Sequence, residues 1–247
     1  AALVLGFTAL VSLPIATTRE QQASVVDAPV TAVSVICVTG LAAVDMATDW
    51  SPFGHVLVCI GVQVGGIGVL TMASILGLII SRRLGLRQKL IAAGDANPLR
   101  MRKGAVAEGQ AVRLSDTGAL LITVATSMIA IEIGVAALLF PRMLIEGVDP
   151  LSAAWESIYI AAMAFTNTGF MPTADGLAPY ATDPWFLIAI MVGVVLGAIG
   201  FPVIYAISKH ARTPRRWPLH AKLTLITFAI LFVLGTLAYL VLESVEG

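Results

Sequence analysis

Two short segments carry the residue types that could do chemistry in this chain. Val38-Thr39-Gly40-Leu41 and Asn167-Thr168-Gly169-Phe170 share a Thr-Gly pair followed by a large apolar residue, and each closes an apolar run too short to cross a bilayer. The chemistry on offer is that of the backbone. Consecutive carbonyl oxygens of a loop can replace the hydration shell of a cation, as potassium-selective filters do. Glycine serves such a loop because successive carbonyls converge on one axis only if some residue takes a conformation forbidden to the others. The plainer alternative is a loop between two buried helices with Thr bonded to a carbonyl; the recurrence of Thr-Gly at the same point of two units weighs for the filter.

Something must carry these loops to their place. After Asp27 come Ala28-Pro29 and an apolar run to Val38; after Asp149 come Pro150 and an apolar run to Phe165. Asp as cap with Pro in the first turn is a helix start. The spacing predicts short helices of roughly 10 to 15 residues, which suits a re-entrant segment rather than a span. A helix that enters from outside and stops at mid-membrane aims its partially negative C-terminus there, favouring a cation. Its extended return survives only if buried in protein or lining a watery path.

The composition, 58% hydrophobic and 12% charged, is that of an integral membrane protein. Apolar stretches at 52–81, 117–140, 185–208 and 222–242 are long enough to span. The stretch 1–15 is shorter and lacks the basic start and cleavage pattern of a signal peptide, so it reads as the tail of a spanning helix cut short. Basic residues gather at Arg82 to Arg113 and at Lys209 to Lys222, and by the positive-inside rule both loops face the cytoplasm. The acids Glu20, Asp27, Asp45, Asp49, Glu146, Asp149, Asp175 and Asp183 fall mostly on the opposite side, where they either attract cations or form a solvated surface. Topology accounts for the basic residues, so nucleic acid is not an expected partner. Cys37 and Cys59 lie in apolar surroundings and read as buried thiols.

Each set of elements begins and ends inside, so the units are parallel repeats related by an axis along the membrane normal. Besides the paired Thr-Gly segments, Gly65-Gly66-Ile67-Gly68 echoes Gly197-Ala198-Ile199-Gly200. These glycines read chiefly as small residues that let membrane helices approach closely, with Pro202 as a kink. The fold class is therefore all-α integral membrane, with repeated helix, pore helix, filter loop and helix units arranged around a pore. Residues 1–81 form the first pore-loop unit, 82–113 a cytoplasmic basic loop, 114–209 the second unit, and 210–247 a cytoplasmic loop with the first helix of a third. Glu132, inside an apolar helix, is a functional candidate by its cost unless it lies near the outer interface. Glu156, on the second pore helix, is a candidate brace for the filter. His55, His210 and His220 lack ligand spacing, so no metal site beyond the ion path is expected. There is no HExxH, GxSxG or Walker A pattern, and neither an enzyme activity nor a covalently bound cofactor is expected.

With this unit repeated, "SVICVTGLAAVD" followed by "GVQVGGIGVLTMASILG" resembles the first repeat of the Trk/Ktr/HKT superfamily of potassium uptake proteins, most of all its Ktr branch. "GFTALVSLPIATT" resembles the end of that family's first helix, and "AAMAFTNTGF" with "VVLGAIGFPV" its second filter and following helix. The resemblance covers essentially the whole chain. It implies potassium uptake through a pore ringed by four such units, each with a signature glycine. Gly40 and Gly169 match two of those glycines, and Val38, Thr39, Asn167 and Thr168 would supply potassium-coordinating carbonyls. In plant relatives a serine at the first signature position goes with sodium permeation, so Gly40 argues for potassium. The resemblance also implies a cell-membrane homodimer, with a cytoplasmic nucleotide-binding regulatory subunit that the 82–113 loop either meets or leaves alone while setting topology.

The stretch 222–242 resembles the start of a third unit, and the chain reads as an N-terminal half, without the family's third and fourth filters. Two other readings stand beside this one. A secondary transporter carrying an organic solute on broken helices would predict inverted units and a larger polar pocket. A nonconducting fragment would only associate with membrane partners.

Overall fold

The computed structural model describes residues 2–18, 27–69, 71–72, 114–200, 203–204, 207, 217 and 219–246. Among these residues the chain is helical, without a strand; a lone antiparallel bridge joins Thr17 to Trp50. The helices are α1 (Ala2–Val11), α2 (Asp27–Ile36), α3 (Pro52–Val69), α4 (Leu114–Ile145), α5 (Pro150–Thr166), α6 (Pro184–Ile199) and α7 (Leu219–Glu246). The basic loop 82–113, the Lys209 to Arg216 cluster, Glu20 and Pro202 lie outside the described residues.

Helix starts follow local chemistry. Asp149 caps α5 by accepting from the N–H groups of Leu151 at 3.1 Å and Ser152 at 3.4 Å, with Pro150 in the first turn. Asp183 does the same for α6 by accepting from the Trp185 N–H. Ser51 caps α3 by accepting from Gly54 N–H, and its hydroxyl donates to the Ile15 carbonyl at 2.6 Å, tying α3 to the end of α1. The 10 residues of α2 reach about 15 Å, half the hydrocarbon thickness. Long apolar stretches occupy Pro52–Val69, Leu121–Ile145 and Ala221–Ser244, each long enough to cross a membrane.

The chain divides into two compact units, Ala1–Leu70 with Thr123–Gly200, and Thr71–Ile122 with Phe201–Gly247. The first holds two cores. Phe7, Val11, Val35, Val58 and Val62 pack with Tyr159 and Met163; Val135, Leu139, Met143 and Phe186 pack with Ile160 and Ala161. Helix α5 belongs to both cores, so it is buried on two sides and its position is fixed twice over. In the second unit, α7 buries Ala221 but exposes most of its apolar residues from Leu223 to Leu242, the surface that a lipid solvent requires.

Several expectations are corrected. The span predicted at 185–208 is interrupted: α6 ends at Ile199 and Gly200 takes φ +81, with Val203, Ile204 and Ile207 helical again. Without a Cβ, Gly200 leaves the helical region at little cost. Helix α2 stops at Ile36 rather than Val38, and α5 runs to 17 residues, past the expected length. Cys37 is exposed, because it follows the last turn of α2 and is turned away from the core; Cys59 is half-buried.

Candidate functional site

The two Thr-Gly segments fold alike. At the end of α2, Val38 N–H donates to Val35 O and Thr39 N–H to Ser34 O. At the end of α5, Asn167 N–H donates to Ala164 O and Thr168 N–H to Met163 O, the same pairings in register. This is the Schellman form of helix stop, in which one left-handed residue lets later N–H groups return to the last carbonyls. Val38 at φ +58 and Asn167 at φ +59 are those residues. Gly40 at φ +75 and Gly169 at φ +72 follow two positions on. Asparagine tolerates this region; a β-branched valine does so only under constraint, a sign of a site where backbone geometry is imposed.

The threonine hydroxyls turn back toward their own helices. Thr39 Oγ1 donates to Ser34 Oγ at 3.0 Å and lies 3.4 Å from Ser34 O. Thr168 Oγ1 lies 3.0 Å from Met163 Sδ and 3.5 Å from Met163 O, and it pairs with Thr166 Oγ1 at 3.0 Å. The capping role read as the plain alternative is therefore present in both loops. With the threonine hydroxyls so engaged, the loops leave backbone oxygens and the side-chain carbonyl of Asn167, whose amide N–H donates to Phe165 O at 3.3 Å. Thr39, Asn167 and Gly169 are exposed, Val38 and Gly40 half-buried, and Thr168 buried.

The loops also meet. A Cβ added to Gly40 would strike the Thr168 carbonyl oxygen and crowd the Thr168 carbonyl carbon, so only glycine brings the first loop this close to the second. At Gly169 a Cβ would meet nothing within 4 Å.

Behind each loop a glycine of the helix that follows, α3 or α6, receives the end of the helix that precedes it, α2 or α5. A Cβ on Gly65 would collide with the Ile36 carbonyl, and one on Gly197 with the Phe165 carbonyl. One turn away, Gly61 abuts Val35 and Phe7, while Gly193 abuts Ala164 and Val135. The same three-helix contact thus occurs twice, and close approach explains these glycines as expected. Gly68 has open space instead. The sequence reading missed the left-handed Val38 and the Ser34–Thr39 hydroxyl pair. Neither had a signal, because valine disfavours that conformation and the pair depends on the helix end.

Other candidates fall elsewhere. Asp45 accepts from Ala47 and Thr48 N–H groups, and Asp49 accepts from the Asp45 N–H, so both shape their loop. Asp183 lies beside Arg142, which also meets Glu146 at 3.0 Å. Burial pushes the Asp183 carboxyl up, but the hydrogen bond and charge of Arg142, with the Phe186 and Trp185 N–H groups, hold it below the ordinary carboxylate range. Glu156 is half-buried on α5, and its carboxylate takes no hydrogen bond from the described residues. His55 is buried with Nε2 2.7 Å from Met46 O, a structural contact. Glu132 lies near the middle of the Leu121–Ile145 stretch rather than at the outer interface, and pairs with Gln63.

Comparison with known proteins gives a consistent set. The family model TrkH, a cation transport protein, matches residues 4–245. The chain is 30% identical over 234 residues to Ktr system potassium uptake protein B of Bacillus subtilis (strain 168), covering 95% of this chain and 49% of that protein. It is 30% identical over 241 residues to Ktr system potassium uptake protein D of the same organism, covering 95% of this chain and 50% of that one. It is also 24% identical over 241 residues to the potassium/sodium uptake protein NtpJ of Enterococcus hirae, covering 98% and 50%. The chain spans about half the length of these curated relatives.

Proposed function

The chain belongs to the TrkH family of cation transport proteins, and from that premise we propose that it contributes two filter-bearing units to a potassium uptake pathway. The carbonyls of Val38, Thr39, Asn167 and Thr168 coordinate the ion, and Gly40 and Gly169 give the backbone its required turn. Potassium is cargo, selected without covalent chemistry, enzyme activity or a resident cofactor. The observation that carries this reading is the matched pair of loops: left-handed residues at equivalent positions, threonine hydroxyls folded away, and Gly40 against the Thr168 backbone. The C-terminal ends of α2 and α5 add partial negative charge beside them.

The domain plan follows. Residues 1–81 and 114–209 are pore-loop units, 210–247 leads into a third, and further units of the same kind complete the ring. The protein is a multi-pass protein of the cell membrane with 82–113 and 209–222 on the cytoplasmic side. It works as a homodimer with a cytoplasmic nucleotide-binding regulatory subunit.

Rubidium uptake into potassium-starved cells lacking their own uptake systems tests the proposal. Cells expressing the full reading frame that carries this chain should accumulate rubidium, and potassium should compete. No uptake, or uptake blind to potassium, would overturn it.

A further inference from the structure

Helices α3 and α4 are joined by a buried pair that the filter does not use. Gln63 Nε2 donates to Glu132 Oε2 at 2.5 Å, and Glu132 is 7% exposed. The other polar atom of each group, the carboxyl oxygen Glu132 Oε1 and the amide oxygen Gln63 Oε1, is buried without a hydrogen-bond partner among the described residues. An ionised Glu132 would be a carboxylate at mid-membrane with one amide donor and, among the described residues, no cation beside it. Arg142 is ten residues further along α4, about 15 Å away, and is engaged by Asp183 and Glu146. Among the described residues, Cys59, one turn before Gln63 on α3, is the titratable neighbour within electrostatic reach; it packs against the core that holds Tyr159 and brings no positive charge. A lone carboxylate and a lone amide oxygen, both buried, would each be costly there.

The two orphan atoms complement each other under one condition. If Glu132 carries a proton on Oε1, that O–H is a donor and Gln63 Oε1 is the acceptor it needs, while the amide N–H already serves Oε2. Acid and amide then form a closed pair with two reciprocal hydrogen bonds and no net charge. We propose that Glu132 and Gln63 form a proton-binding site, with Glu132 held as a neutral carboxylic acid that docks α3 on α4. Its place is close behind the filter. Gly66 of α3 packs against Met128, one turn before Glu132, and against Thr166, the last residue of α5. Loss of the proton breaks one of the two bonds and leaves a charge in the seam that backs the second loop, which links filter geometry to proton binding.

Infrared spectroscopy of the purified protein in lipid nanodiscs, at about pH 7 where exposed glutamates are ionised, tests this. The wild type should show a protonated-carboxyl C=O band that is lost in Glu132→Gln and moves to higher frequency in Gln63→Leu, where the acid loses its partner. Glu132→Gln should also keep the wild-type thermal midpoint, because an amide–amide pair makes the same two bonds. If that variant does not fold, the Gln63→Leu shift still reads the pair. A wild-type spectrum without the band, or a band unmoved by either change, would overturn the proposal. So would sodium or potassium raising the thermal midpoint of wild type but not of Glu132→Gln, since a metal cation would then occupy the site.

Discussion

Replacing Gly40 by serine should damage the protein more than the same change at Gly169, and the structure says by how much. Both glycines have positive φ, +75 and +72, where an L side chain costs about 1–2 kcal/mol. At Gly169 that is the whole cost, because a Cβ there meets nothing within 4 Å. At Gly40 the Cβ also collides with the Thr168 carbonyl, and relieving such overpacking costs about a further 1–3 kcal/mol. Gly40→Ser therefore totals about 2–5 kcal/mol against about 1–2 for Gly169→Ser. The group that must give way is a proposed ion ligand. If even about 1.4 kcal/mol of this strain appears as lost discrimination, selectivity falls tenfold. The assay is rubidium uptake by the full reading frame with sodium as competitor, alongside the thermal midpoint of each purified variant. Equal behaviour of the two variants in both measurements would refute the reasoning, because the collision would then have no consequence.

Three further outcomes are expected. Gly65→Ala should lower stability by about 1–3 kcal/mol by forcing α3 off the Ile36 carbonyl, whereas Gly68→Ala, with open space, should be neutral or gain up to about 1 kcal/mol of helix propensity; thermal midpoints of the pair check this. Val38→Asn should stabilise by up to about 1 kcal/mol, since asparagine already fills the equivalent left-handed position at 167, as a midpoint shift would record. The Asp183 carboxyl is held below its ordinary range, so its stabilisation is present above that range and is lost as pH falls toward its folded-state value; in acid titrations of thermal stability, Asp183→Asn should lack that component.

The fold was legible where composition and capping chemistry act alone. Asp149-Pro150 announced α5 and the apolar content announced the membrane. The interruption at Gly200 escaped because an apolar run reads as one helix until a backbone angle breaks it. At the site, the paired Thr-Gly segments marked the loops, but the sequence could not show that the threonine hydroxyls fold back, since that depends on the end of each helix. The Gly65 and Gly197 contacts were readable only as small residues. Their partners, the Ile36 and Phe165 carbonyls, are backbone atoms that carry no sequence signature. Cys37 misled because apolar neighbours along the chain do not say which way a residue past a helix end is turned.

The central claim is that backbone oxygens of the two loops hold the transported ion, and its most direct test is the anomalous signal of thallium, a potassium surrogate, in crystals of the full-length protein. Thallium should lie against the carbonyls of Val38, Thr39, Asn167 and Thr168 and disappear from that place in Gly40→Ser. Thallium bound only at side chains elsewhere, with the space beside these carbonyls empty, would contradict the account.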